Sequence, residues 1–97
     1  MEKIKVIHCK VGETPELIEI DNKLESYQKL VGGYIECVFY DKDLVMVCNE
    51  EGMYDCPPNR EMPYVGLVHG NFFICKRDGE NFGDLDEASL KEALKLL

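Results

Sequence analysis

The stretch Pro57-Pro58-Asn59-Arg60 carries the side chains best equipped for recognition in this chain. A guanidinium presents a planar fork of donors suited to a carboxylate or a phosphate. The two prolines ahead of it stiffen the loop and lower the entropy cost of holding that fork in place. The same arginine could instead pair with Glu50, Glu51 or Asp55, leaving Asn59 merely to close a turn. Upstream, Asn49-Glu50-Glu51-Gly52 puts two adjacent carboxylates after an apolar run. Adjacent strand residues point to opposite faces, so these two are poorly placed to share a cation or a proton. Tyr34 and Tyr54 complete the set, since an aromatic ring near an arginine can stack on a base. The blander role for both is to cover a sheet with the hydroxyl in water. Asn49, Glu50, Asn59, Arg60, Tyr54 and Tyr34 are therefore the expected ligand- or partner-binding residues.

Other chemistry is poorly supported. His8 and His69 are solitary, and Cys9, Cys37, Cys48, Cys56 and Cys75 lack zinc-like spacing. Gly32-Gly33 ends a helical stretch instead of opening one, unlike a phosphate-binding loop. No catalytic signature, metal or cofactor is expected. The odd number of cysteines suits reduced thiols and a cytoplasmic protein.

The net charge of −8 over 97 residues disfavours direct nucleic-acid binding, and the nine lysines and two arginines form no basic cluster. The longest apolar run, Leu44 to Cys48, is far too short for a membrane span. The length suits a single domain over 1–97.

The elements that would position the candidate residues can be read from periodicity. Lys3 to Cys9 alternates as a strand, with Ile4 and Val6 on one face and Ile7 on the other. Gly12 to Pro15 turns the chain into a second strand, Leu17 to Ile20. Asn22 and Glu25 have capping-box spacing before a short helix ending at Gly32-Gly33. Tyr34 to Tyr40 reads as a strand, Asp41-Lys42-Asp43 as a hairpin loop, and Leu44 to Cys48 as a central strand covered on both faces. Three prolines between Met53 and Pro63 argue against any ladder there. Asn71 to Lys76 is a further strand, with a start as early as Tyr64 if Gly66 or Gly70 forms a bulge. Glu80 to Gly83 is a predicted loop. Asp84 and Glu87 are a second predicted capping box, before a helix with Leu90, Ala93, Leu94 and Leu97 on one face. The expected fold is α+β: a single, mostly antiparallel sheet of about five strands with two helices packed on it. The hairpin, helix, hairpin opening also admits a β-grasp-like variant.

Four blocks together resemble the DUF3846 family: Leu30-Val31-Gly32-Gly33-Tyr34-Ile35-Glu36, Asn49-Glu50-Glu51-Gly52, Pro57-Pro58-Asn59-Arg60 and Phe82-Gly83-Asp84-Leu85. The resemblance covers roughly residues 3–97. Where members often carry a short apolar step before the prolines, this chain has Asp55-Cys56. The resemblance implies an accessory role in phage or mobile-element biology and no catalysis.

The expected function is thus a non-catalytic binding module for a host protein or a small anionic, nucleotide-like ligand. The alternatives are an acidic decoy that mimics DNA, whose acids would have to cluster on one face, and a small enzyme, which would need convergent titratable groups in a cleft.

Overall fold

The computed structural model describes residues 2–40 and 43–97. Its main sheet has the order β2-β1-β7-β4-β3, formed by β1 (Lys3–Cys9), β2 (Glu16–Asp21), β3 (Ile35–Tyr40), β4 (Leu44–Asn49) and β7 (Phe72–Asp78). A sixth strand, β8 (Asn81–Gly83), pairs with the end of β7. All pairings are antiparallel. Helices α1 (Leu24–Val31) and α3 (Glu87–Leu96) join this sheet, making the fold α+β as expected. A single helical turn, α2 (Gly52–Asp55), and a two-stranded ribbon of β5 (Pro58–Met62) and β6 (Gly66–His69) complete the order. The hairpin–helix–hairpin opening is present, and β7 is the strand that unites the two hairpins.

The sheet separates two apolar layers. On one face Ile4, Val6, Val45, Val47, Phe73 and Cys75 meet Tyr27 and Val31 of α1. Tyr27 also packs edge-on against Phe82 of β8, with ring centroids 4.7 Å apart. On the other face Ile7, Cys9, Leu44, Met46, Phe72 and Ile74 meet Met62 and Val68 of the ribbon and Leu85 and Ala93 at α3. The predicted split of β1 into an Ile4/Val6 face and an Ile7 face is therefore observed. β4 is buried from Leu44 to Cys48 and flanked on both sides. The middle position, however, belongs to β7, whose Phe72 to Cys75 have no exposure at all.

Several local expectations are corrected. The region Met53 to Pro63 is not irregular. Pro58 takes the first strand position, Pro63 falls in the turn, and the register jumps between Pro58 and Arg60, so no proline interrupts the ladder. Gly70, at φ 82°, then turns the chain out of the ribbon, so the segment from Tyr64 is not one bulged strand with β7. Asn81 to Gly83 is a strand, not a loop, because it hairpins back on β7. Asn22 does not cap α1: its amide donates to Glu2 Oε1 at 2.7 Å and to the Phe82 carbonyl at 3.2 Å, and its oxygen accepts from the Tyr27 hydroxyl. The N-cap position is Lys23, without a side-chain cap. The second capping box is Asp86 with Ser89, since Asp84 is used to accept from the Lys5 amide at 2.6 Å. Leu94 is exposed, and Leu96 packs on the core with Leu90 and Leu97. Gly32 does end α1 in the left-handed cap predicted for it. Asp41 and Lys42 of the expected hairpin loop lie outside the described residues.

Val45 has no exposure and faces the α1 layer. A Val45→Asp substitution places an unpaired carboxylate there and is expected to cost several kcal/mol. Urea denaturation of variant and parent checks this, and equal stability would contradict an interior β4.

Candidate functional site

The predicted site residues all lie at one end of the main sheet. β4 ends there at Asn49, β1 ends there at Cys9, and β3 begins there at Ile35. Within that end they form two groups. Asn49, Glu50 and Tyr34 are neighbours, with the Glu50 amide donating to the Tyr34 carbonyl at 2.9 Å. Asn59 and Arg60 belong to the ribbon, beside β1. β7 runs between β4 and β1, which separates the groups by about two strand spacings, roughly 10 Å.

The two asparagines fasten the fold. Asn49 donates to the Val31 carbonyl at 3.2 Å and accepts from the Glu51 amide at 2.8 Å, tying α1 to the end of β4. Asn59 donates from one amide to the Cys9 carbonyl at 3.0 Å and the Gly70 carbonyl at 2.9 Å. The register jump turns its side chain toward these two carbonyls. Arg60 is half-buried and donates to Asn59 Oδ1 at 3.2 Å and to the Glu13 carbonyl at 3.1 Å. Among the described residues it forms no salt bridge, so Glu50, Glu51 and Asp55 are not its partners. Tyr34 and Tyr54 are largely exposed. Gly52 fits where no Cβ could, since one built there would lie 2.6 Å from the His69 carbonyl oxygen. That contact brings α2 against the ribbon.

The opposite end of the ribbon borders a concave region that the sequence reading missed. A groove of about 1030 Å³ opens between the ribbon tip, the β3–β4 hairpin and the start of α3. Its apolar lining includes Val38, Tyr40, Leu44, Val65 and Leu96, and Tyr64 stands at its rim. The Tyr40 hydroxyl donates to the Pro63 carbonyl at 2.8 Å and so holds the tip over the sheet. The Val65 amide donates to the Met62 carbonyl at 3.2 Å, closing a turn with Pro63 and Tyr64 at its centre. Tyr64 has φ 67° and is fully exposed. This is the third position of a type II turn, where glycine or asparagine is the usual occupant. A proline followed by an aromatic before Val65-Gly66 was the sequence signal that could have found this turn.

Charge in the groove is mainly acidic, with Asp43, Asp86 and Glu92 against Lys76. Lys76 Nζ lies 2.6 Å from Asp86 Oδ2. The Lys76 ammonium, helped by the Ser89 amide and hydroxyl, holds the Asp86 carboxyl well below the usual carboxylate range.

The chemistry available elsewhere is restrained. All five cysteines are free. Burial pushes the Cys9 and Cys48 thiols up to about 11 and the Cys75 thiol up to about 12, so they stay protonated and unreactive near neutrality. Burial also lowers the His8 pKa, despite its ring nitrogen Nε2 lying 3.2 Å from the Leu30 carbonyl oxygen. Among the described residues no group of three or more His, Cys, Asp or Glu side chains could hold a metal ion. No helix among them is long and apolar enough to cross a membrane.

The domain of unknown function DUF3846 matches residues 4–97, nearly the whole chain. The chain belongs to the DUF3846 family. No curated protein and no solved structure matches it. The four blocks that carried the resemblance fall at joints of this DUF3846 fold. Gly32 ends α1, Asn49 binds α1 to β4, Asn59 anchors the ribbon, and Asp84 with Leu85 joins β8 to β1 and the core.

Two outcomes follow for stability. Asn59→Ala leaves two carbonyls without their donor and should cost about 1–3 kcal/mol in urea denaturation; an unchanged midpoint would show that the ribbon does not depend on Asn59. The second concerns pH. The folded His8 favours the neutral ring, whereas the unfolded chain protonates it near its ordinary value of 6.5. Stability is therefore full above that pH and declines below it as the unfolded state takes up the extra proton. Melting temperature should fall between about pH 7 and pH 5.5, and His8→Gln should flatten that part of the profile. The same slope in parent and variant would exclude His8 as its source.

Proposed function

We propose that this DUF3846 chain is a non-catalytic binding module that grips a segment of a partner protein in the groove under the ribbon tip. The observation that carries this reading is Tyr64. A bulky residue in left-handed backbone costs about 1–2 kcal/mol, and a fully exposed ring has no burial to offset it. Strain of this kind, held in place by the Tyr40–Pro63 clasp, is what a contact residue presented to a partner would carry. The apolar floor, beside which Lys76 already has Asp86 as its partner, suits a protein segment with apolar anchors. A small anion would rely on Arg60, part of whose donor fork is taken up by Asn59 Oδ1 and the Glu13 carbonyl. The acidic balance of the groove favours a partner segment carrying lysine or arginine.

Asn49, Glu50, Asn59, Arg60, Tyr34 and Tyr54 lie at the end of the sheet away from the ribbon tip, and we infer that the exposed Tyr34 and Tyr54 rings there are a secondary contact surface. The phage or mobile-element setting is inferred from the family resemblance. The cytoplasmic location is inferred from the five free thiols.

The test is Tyr64→Gly. Glycine takes the turn conformation without strain, so the melting temperature should stay level or rise. Proteins captured by the parent from its own cells, identified by mass spectrometry, should be lost with the variant. Either a clear fall in melting temperature or an unchanged set of captured proteins would defeat the reading.

A further inference from the structure

The two edges of the main sheet differ in a way the groove does not explain. β2 has charged residues at Glu16, Glu19 and Asp21, and Asp21 pairs with Lys3 at 3.4 Å. Charges along an edge are a common guard against unwanted strand pairing. β3, at the other edge, reads Ile-Glu-Cys-Val-Phe-Tyr and has a single charge, Glu36. Among the described residues no strand pairs with its outer side.

The register shows which backbone groups that outer side presents. The Glu50 amide bonds the Tyr34 carbonyl, making Tyr34 and Glu50 a hydrogen-bonded pair in continuation of the β3–β4 ladder. Antiparallel pairs alternate between bonded and non-bonded. Glu36, Val38 and Tyr40 therefore bond to β4, while Ile35, Cys37 and Phe39 direct their N–H and C=O groups away from it. The side chains of Val38 and Tyr40 line the groove, so an added strand would run along its open margin. On the Glu36 side of this edge charge is acidic, since Glu36, Asp43 and Glu50 form no salt bridge among the described residues, whereas the Arg77 guanidinium lies over the Phe39 ring, 4.5 Å from its centroid. A second copy of this chain, itself at −8, would bring like charge to the edge.

We propose that β3 is the edge to which a partner protein adds a strand: an extended segment alternating apolar with Lys or Arg side chains pairs with Ile35, Cys37 and Phe39, laying its apolar side chains beside theirs and its Lys or Arg side chains on the opposite face, beside Glu36 and toward the groove. This rests on the protein-binding reading above and specifies its geometry. Main-chain bonding supplies much of the affinity in such strand addition, and alternate side chains supply the specificity. The lysines or arginines meet Glu36 and Asp43, which speeds encounter and selects against acidic segments.

The probe is a synthetic peptide of alternating valine and lysine, blocked at both ends, with a valine–glutamate peptide as its counterpart. Residue-resolved amide exchange by NMR is the readout. The lysine peptide should slow exchange at Ile35, Cys37 and Phe39, while Glu36, Val38 and Tyr40 are protected before it is added. The glutamate peptide should have no such effect. Cys37→Pro removes one outward donor at an edge position that tolerates proline, and should weaken the lysine peptide about tenfold. If that variant fails to fold, the alternating exchange pattern in the parent still decides. Shifts confined to Val65 and Leu96, without protection on β3, would overturn strand addition and leave groove binding standing. Protection by both peptides would overturn the basic partner. Protection that rises with protein concentration alone would assign the edge to a second copy and overturn the proposal. No binding of either peptide at millimolar concentration would also overturn it, because main-chain pairing tolerates sequence; the Tyr64→Gly comparison then judges the groove separately.

Discussion

Phe72, Phe73, Ile74 and Cys75 are without solvent contact on either side of their strand, and the rest of the molecule follows from covering them. A strand buried on both faces requires a layer above and a layer below. The first layer is α1, whose Tyr27 and Val31 join Phe73 and Cys75. The second cannot come from α3 alone, which contributes Ala93 as its buried apolar residue. The ribbon supplies what is missing through Met62 and Val68. A short two-stranded ribbon is marginal by itself, so it must be tied down. Asn59 does this at its base, and Tyr40 at its tip.

These ties explain why polar residues that look like site candidates are partly structural. An asparagine amide that satisfies two carbonyls at a junction fixes the relative position of two elements with one side chain. Asn59 does so with the Cys9 and Gly70 carbonyls, and at the same end of the sheet Asn49 makes a similar tie by donating to the Val31 carbonyl and accepting from the Glu51 amide. Arg60 reaches the Glu13 carbonyl and extends the second junction toward the β1–β2 turn. The recognition surface proposed above lies instead at the ribbon tip, where Tyr64 makes no fold contribution through burial.

Elements with a clear local signal were legible in the sequence: the alternation in β1, the uniform run in β4 and the end of the first helix at Gly32 stand as read. Features decided by competition between partners were not. Asn22 and Asp84 have the right spacing to cap helices, yet each is drawn to a distant chain segment, Glu2 and Phe82 for one and Lys5 for the other. Sequence spacing carries no information about such long-range claims on a side chain. The ribbon was hidden because proline weakens a ladder in general, whereas here the first strand position, the register jump and the turn absorb the conflict. The groove was hidden for a related reason: Val38, Val65, Lys76 and Leu96 are far apart in the chain and converge only through the fold.

The strand order has a consequence for synthesis. β1 and β2 can pair as soon as they emerge, and so can β3 and β4, because both hairpins are local. The strand that joins them, β7, comes from the last third of the chain. Until it arrives, the inner edges of β1 and β4 have no mate, and the apolar faces of two separate hairpins are open to other nascent chains. Long-range pairing of this kind slows folding and prolongs that exposure. The interval between translation of β4 and translation of β7 is thus the period in which a chaperone would matter most to this protein.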